Sequence, residues 1–313
     1  MPIADGGVPH REGRTLMLLP NLPEEGQGPG TKSSGRVFYN PAMAGSRTRS
    51  VLLFRHALDL GILGEGTVYA LDGLTASGLR ARRWLNELSP EETERISATI
   101  VDLEEEALKW AEASHSEFPP HGGGILEPSK GDLRSVVLRS GRHWVDIDPY
   151  GSPMPFIDSA MQSMARSGVM EVSATDTAAL TGSSGTALMR RYGARVRTDS
   201  LAHDSGMRVM LATFSRVAAR HDRSIVPLLS VWDSHHLRVS FRVLKSVSTA
   251  NELEGSIGWR VHAPTKEEVV ASIDSGLHHD SSLVHLPMHC MLPLKYPIDR
   301  TDPRVSGPYG FGR

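Results

Sequence analysis

"GTVYALDGLTASGLRARRWLNEL", residues 66–88, is the stretch on which the fold turns. An apolar strand runs up to Asp72, a turn of small residues follows, and a helix begins near Gly78. Residues 96–114, "ISATIVDLEEEALKWAEAS", repeat the same order. "SGRHWVDIDP" (140–149) adds a third short apolar strand and "GVMEVSATDTA" (168–178) a fourth. Strands alternating with helices predict a mostly parallel sheet covered on both faces, an α/β fold. On such a sheet ligands bind beyond the carboxyl ends of the strands. The chemically interesting segments of this chain all lie at such ends.

Towards the N-terminus, "RTLMLLP" (14–20) predicts a strand, "NLPEEGQGPGTKSSG" (21–35) a flexible loop, and residues 49–60 a helix. Towards the C-terminus, Met207, Leu211, Phe214 and Val217 share one face of a helix within 206–222. "SIVPLLSVWD" and "HLRVSFRVLKS" flank a polar "DSHH" and predict a hairpin. "TKEEVVASIDSGL" (265–277) predicts a helix capped by Thr265, with Glu268 completing a capping box. After about residue 250 the alternation fades, and "DRTDPRVSGPYGFGR" reads as unfinished structure. The expected division is a domain over 1–250 with an N-terminal extension, and a partial C-terminal domain over 251–313.

The 313 residues suffice for a sizeable core, and the single cysteine, Cys290, excludes an internal disulfide framework and a four-cysteine zinc site. The apolar runs are too short to span a bilayer. "MPIADGGVPH" lacks the basic-then-apolar pattern of a signal peptide, so a cytoplasmic protein is expected. The formal net charge of -2 calls for no polyanion. Arginines nevertheless cluster, at 47, 49 and 55 and again at 190, 191, 195 and 197. Acids gather elsewhere, so a neutral protein can carry a basic face.

The strand ends suggest a ligand. Asp72 closes the first strand, and Gly73 and Gly78 permit close backbone approach. The turn is not GxGxxG and no phosphate-binding lysine follows, which favours a nucleoside cofactor without a cradled pyrophosphate. Asp102 closes the second strand, where an acid can accept both hydroxyls of a ribose. Asp132 in "SKGDLRSVV" stands at a third edge, within reach of an adenine amine, and Arg47 can pair with a carboxylate. Together these fit S-adenosylmethionine. Taken singly, Asp72 reads equally as a turn acid and Asp102 as a helix cap.

"DIDPYGSP" (146–153) follows the next strand. Pro149 shapes the backbone there, Tyr150 offers a ring on which a planar base can stack, and Asp148 can accept a hydrogen bond from an exocyclic amine. Asp146, two residues back, lies on the other side of an extended chain and reads as a structural or supporting acid.

Several stretches resemble the tRNA guanine-26 N2-dimethyltransferase family: "RVFYNPAMAGSRTRS", "ALDGLTASGLRARRW", "DIDPYGSPMPFIDSA", "VSATDTAALTGSSGTALMRRYGA" and "GMRVMLATFSRVAARHDRSIVPLLS". The match runs over roughly residues 11 to 250, and "DPYGSP" with "ATDTAALTG" is its specific part. The resemblance implies a Rossmann-like class I methyltransferase sheet, S-adenosylmethionine as methyl donor, and the exocyclic amine of a tRNA guanine as acceptor. It implies cofactor contacts at Arg47, Asp72, Asp102 and Asp132, catalysis at Asp148, and contacts to the guanine at Phe38, Pro149 and Tyr150. Tyr150 stands where the family has phenylalanine. The family's asparagine–arginine–aspartate triplet reads Ser46–Arg47–Thr48 here, so the arginine lacks its neighbouring acid. The zinc-binding cysteines of some relatives are absent.

Two other readings stand beside this one. A DNA amino-methyltransferase shares the acid–proline–aromatic logic, but its proline pair is missing. A non-catalytic RNA-binding member would fit the altered triplet, against which Asp72, Asp102 and Asp148 are intact. Asp176, with Thr175 and Thr177, either supports the target pocket or forms a turn or helix cap. His235 and His236 read as a polar hairpin turn, and Cys290 as a core or loop thiol.

Overall fold

The computed structural model describes residues 7–20, 37–277 and 289–310; the loop expected over 21–35 lies outside them. The strands are β1 Val8–Glu12, β2 Thr15–Leu19, β3 Val68–Gly73, β4 Ile96–Asp102, β5 Ile125–Lys130, β6 Arg142–Ile147, β7 Met164–Ala174, β8 Arg223–Asp233, β9 His236–Lys245, β10 Ile257–His262, β11 His289–Pro293 and β12 Val305–Gly310. The longer helices are α1 Ala44–Asp59, α2 Leu79–Glu87, α3 Glu105–Glu117, α4 Met154–Ser163, α5 Gly185–Tyr192, α6 Ala202–Arg220 and α7 Lys266–Asp274. By its packing the chain forms two units, Met1–Asp148 with Gln162–Glu171, and Pro149–Met161 with Val172–Arg313.

The first unit is the expected parallel sheet. Its strands run in the order β5-β4-β3-β6, followed by β7. The β3–β4, β3–β6 and β4–β5 pairs are parallel, with Asp72 opposite both Ile100 and Asp146. Buried Val68, Ala70, Leu71, Ile96, Ala98, Ile100, Val145 and Ile147 form near-continuous apolar runs, as a sheet covered on both faces requires. Phe54 of α1 stacks on Trp144 of β6, centroids 4.3 Å apart, with Trp84 of α2 edge-on to that indole.

Strand β5, which sequence reading passed over, lies at the edge of the sheet. Its residues are mostly exposed and include Pro128, a residue that sheets confine to edges. A second unexpected strand, β1, pairs antiparallel with β2. That hairpin is held by side chains: Arg82 donates to the Leu16 carbonyl, and Ser114 Oγ accepts from Leu18 N at 2.9 Å. Helix α1 begins at Ala44, five residues before the expected start.

In the second unit the end of β7 is followed in sheet order by β9 and β8. β8 and β9 are the antiparallel hairpin expected around "DSHH", and Ser234 turns it with φ +58°. α6 buries Leu211, Phe214 and Val217 of the expected face, along with most of its other residues. α7 carries the Thr265–Glu268 capping box. The C-terminal stretch corrects the sequence reading. Residues 305–310 are a strand buried along its length, antiparallel to β10, with β11 on the other side of β10. The Gly-Pro-rich "VSGPYG" hides this strand because it has neither alternation nor β-branched residues beyond Val305. Arg208 of α6 donates to the Gly310 carbonyl at 3.2 Å, and a Cβ on Gly310 would come within 2.8 Å of Leu211 Cβ.

Candidate active site

The sheet order places four acids along one edge of the first unit. Asp132 follows β5, Asp102 ends β4, Asp72 lies near the end of β3, and Asp148 follows β6 by one residue. Each is tied down by a specific partner.

Asp72 is 2% exposed. Its Oδ2 accepts from Thr75 Oγ1 at 2.7 Å and from Ala81 N at 3.2 Å, so it caps the first turn of α2. Burial pushes its carboxyl up to about 6, against the pull of Arg80, Thr75 and the Ala81 amide, with Asp148 adding to the rise. Asp102 accepts from Ala76 N at 2.8 Å and from Glu104 N at 3.0 Å, one bond to each carboxylate oxygen. A carboxylate offers about four lone-pair sites, so acceptor capacity remains at Asp102 for two vicinal hydroxyls. Leu103 beside it is 61% exposed, a flat apolar surface at the same edge. Asp132 caps the turn Leu133–Val136 and is bound by Arg134 through both backbone and guanidinium, which holds its carboxyl below the usual range.

The glycines of this turn serve packing. A Cβ on Gly78 (φ +68°) would lie 2.6 Å from Ala111 Cβ of α3, and one on Gly73 would lie 2.9 Å from the Asp146 carbonyl oxygen. Close approach here is between elements of the protein itself, where sequence reading expected a ligand.

Arg80 organises the end of β6. It is 6% exposed and stands in the first turn of α2. Its Nη2 lies 2.6 Å from Asp148 Oδ2 and its Nε 3.3 Å from Asp146 Oδ1. Asp146 is fully buried and supports the site through this shared guanidinium, although it was expected on the opposite side of the strand from Asp148. The chain turns after Ile147, where β6 ends, so both carboxylates reach one cation. Arg80 Nη1 is buried and has no hydrogen-bond partner among the described residues.

Arg47 lies on α1 and is buried. Glu12 of β1 grips its Nε at 2.7 Å and its Nη2 at 2.5 Å; Nη2 also donates to the Asn40 carbonyl, and the guanidinium lies over the Tyr39 ring. The two-pronged edge expected to meet a cofactor carboxylate is thus held by Glu12. Glu12 also binds Arg83 Nη1 at 3.0 Å, which ties the arginine to α2. The acid missing from the triplet at Thr48 is supplied from β1. Phe38 precedes α1 and is half-buried.

The second unit begins at Pro149, which is buried, and Tyr150, which is 63% exposed. Gly151 has φ +79°, a conformation that favours glycine. Its N–H donates to Thr175 Oγ1 at 2.7 Å, and Thr175 N returns a bond to the Gly151 carbonyl at 3.0 Å. The Tyr192 hydroxyl donates to Asp176 at 2.9 Å and lies 3.0 Å from Ser152 Oγ, while Arg191 pairs with Asp176 at 3.0 Å. Thr175 and Asp176 therefore brace the loop that carries Tyr150. The hydroxyl of Tyr192 is pushed well above the usual tyrosine range by burial and by Asp176.

The arginine groups differ. In the first group Arg47 is buried, while Arg55 donates to the Glu87 carbonyl at 2.7 Å with its side chain 42% exposed. Arg190, Arg191, Arg195 and Arg197 are all exposed. Among the described residues no group of three or more His, Cys, Asp or Glu could hold a metal ion. Cys290 is a buried thiol in β11, pushed up to about 12 by burial. Sequence reading missed Glu12, Arg80 and Tyr192. Only Arg80 left a signal: a cation in the first turn of a helix opposes the dipole and needs an anion to hold it there.

The family model for N2,N2-dimethylguanosine tRNA methyltransferase matches residues 21–291. The chain belongs to this family. The tRNA (guanine(26)-N(2))-dimethyltransferase of Methanocorpusculum labreanum is 33% identical over 270 residues, 85% of this chain and 65% of that protein. That of Thermoplasma volcanium is 31% identical over 267 residues, 82% of this chain and 69% of its own length. The tRNA (guanine(26)-N(2)/guanine(27)-N(2))-dimethyltransferase of Aquifex aeolicus is 30% identical, over 80% and 61% respectively. This dimethyltransferase-family chain thus spans about two thirds of the length of such relatives. A solved structure of Trm1 from Pyrococcus horikoshii with S-adenosyl-L-methionine shares its fold: TM-score 0.74, 22% identity, 97% of this chain and 73% of that one.

Proposed function

We propose that this chain transfers methyl groups from S-adenosylmethionine to the exocyclic N2 amine of a guanine in tRNA, guanine-26 being the position named for its relatives. The observation that carries the reading is the ordered row of acids at the strand ends, closed by Asp148–Pro149–Tyr150. The donor set fits the cofactor. Asp102 has acceptor capacity for a ribose diol, Leu103 offers apolar surface to a flat ring, and the buried Nη1 of Arg80 is a donor that an acceptor on a bound ligand would satisfy. Arg47 would meet the cofactor carboxylate through Nη1, its other edge being held by Glu12. Asp72 shapes the turn, and Asp132 borders the adenine side from its bond with Arg134.

The cofactor supplies a methyl group already activated by a sulfonium charge, so the protein's task is placement. Asp148 accepts a hydrogen bond from the guanine amine, which favours the pyramidal nitrogen that attack requires. Tyr150 stacks the base, with Pro149 fixing the backbone and Phe38 adding a second aromatic contact. The base must leave its helical stack to reach them, at a cost of a few kcal/mol. Exposed arginines 190–197 meet tRNA phosphates, and the work takes place in the cytoplasm. Among the described residues no helix is long and apolar enough to cross a membrane.

Incubation with radiolabelled cofactor and unmodified tRNA, followed by nucleoside analysis, tests the reading. N2-methylguanosine or its dimethyl form, mapped to position 26, is the expected product. Label appearing only in duplex DNA would replace it with DNA amino-methylation. Failure to bind cofactor even at millimolar concentration would favour a purely RNA-binding role.

A further inference from the structure

Two acids meet at the end of β6, and one guanidinium serves both. Arg80 Nη2 holds Asp148 Oδ2 at 2.6 Å and Nε lies 3.3 Å from Asp146 Oδ1. Asp146 is fully buried and cannot move away, so it anchors the guanidinium from below. Engaging Oδ2 sets the rotation of the Asp148 carboxyl about Cβ–Cγ and hence the position of Oδ1. Arg80 is also placed against the dipole, in the first turn of α2, where a cation is disfavoured. Its retention there calls for compensation from the two acids.

We propose that Arg80 is the positioning residue of this site: it holds Asp148 in one orientation and in its carboxylate form, ready to accept a hydrogen bond from the amine of the target base. The proposal rests on the methyl-transfer reading above. Charged groups that face Asp148 or share its cation include Arg80 on α2, Asp72 on β3 and Asp146 on β6. Two carboxylates beside it disfavour its charge, and Arg80 opposes them. An arginine within about 4 Å lowers an aspartate pKa by about 1–3 units.

Arg80→Gln and Arg80→Lys test this in the full chain. The Asp148 carboxyl is followed by ¹³C NMR during a pH titration, assigned by its loss in Asp148→Asn. In Arg80→Gln its midpoint rises by about one unit or more, and the acid limb of kcat on tRNA moves to higher pH by the same amount. Arg80→Lys keeps the charge but cannot grip two acids at once. Its acid limb stays near that of the wild type while kcat falls by about tenfold at all pH values. In Arg80→Gln, an unmoved midpoint or a kcat lowered equally at every pH overturns the proposal. Wild-type kcat in Arg80→Lys overturns its orientation half, whether or not Arg80→Gln folds. If the wild-type protein methylates no tRNA, the methyl-transfer reading fails, and the NMR titration still decides whether Arg80 sets the charge of Asp148.

Discussion

Replacing Glu12 by glutamine removes the one carboxylate that both Arg47 and Arg83 share. Both guanidiniums are buried, at 8% and 2% exposure, and Glu12 bonds to Arg47 at 2.7 and 2.5 Å and to Arg83 at 3.0 Å. Breaking a buried pair by removing one partner costs about 3–5 kcal/mol. Part of that is recovered here, because Arg83 keeps Glu87 at 2.6 and 2.8 Å and Arg47 keeps the Asn40 carbonyl at 2.9 Å. The expected loss is therefore about 2–4 kcal/mol, a fall in Tm of roughly 5–10 °C for a unit of this size. Burial alone would raise the Glu12 carboxyl; the Arg47 and Arg83 guanidiniums with the Tyr39 hydroxyl outweigh it and hold the group below its ordinary value of 4.5. A depressed folded pKa contributes stability that is present above the unfolded value and lost as pH falls through the folded one. The wild-type advantage over Glu12→Gln should thus be full above about pH 5 and shrink steadily below 4.5. With Arg47 no longer preorganised, S-adenosylmethionine should bind about tenfold more weakly by calorimetry. Equal melting temperatures at pH 7, or a stability difference that grows on acidification, would refute the reasoning.

Asp148→Ala should bind S-adenosylmethionine within a few-fold of the wild type by calorimetry while methyl transfer falls sharply in single-turnover assays, since the contact proposed for it acts in the transition state. Tyr150→Phe should keep most activity and Tyr150→Ala should lose about 1–3 kcal/mol of binding in a tRNA affinity assay, because stacking needs the ring and not the hydroxyl. Tyr192→Phe removes the hydroxyl that bonds Asp176 at 2.9 Å and should cost about 1–3 kcal/mol in chemical denaturation. The ratio of S-adenosylmethionine to S-adenosylhomocysteine affinity should rise by up to about tenfold between pH 5 and 7, with proton release on binding measured in buffers of different ionisation enthalpy; a flat ratio would remove Asp72 from the account.

The parallel sheet was legible because β3, β4, β6 and β7 each present an apolar run that ends at a polar turn, and two of them are followed at once by helical periodicity. β5 and β12 were not, for opposite reasons. β5 is an exposed edge strand interrupted by Pro128, so it carries no apolar signal. β12 is buried at every position and is interrupted by Gly307, Pro308 and Gly310, so it carries no alternation. The acids at the strand ends could be located because position along a strand is local information. Their partners could not, because Glu12 meets Arg47 across 35 residues and Arg80 meets Asp148 across 68. The absence of an acid at Thr48 suggested a weakened arginine; a carboxylate arriving from β1 shows that a local motif can be completed from elsewhere in the chain.

Charge balance around Arg80 distinguishes a cationic ligand from a neutral one. Arg80 pairs with Asp146 and Asp148 and pulls on the charge of Asp72. The cost of burying charge is visible at Asp72, whose carboxyl is pushed up to about 6. Below that pH the carboxyl holds its proton. A ligand bearing positive charge beside Asp72 would make the ionised form favourable again, so its arrival would expel the proton. That exchange costs nothing above pH 6 and becomes unfavourable below it, at about 1.4 kcal/mol per pH unit for one proton. The sulfonium of S-adenosylmethionine carries the charge; the thioether of S-adenosylhomocysteine does not. The two ligands otherwise present the same ribose, adenine, ammonium and carboxylate, so the contacts proposed at Asp102, Asp132 and Arg47 would cancel in the ratio of their affinities. What remains reports on the acids around Arg80. The same balance would help product leave: once the methyl group is transferred, the charge that favoured binding is gone from the ligand.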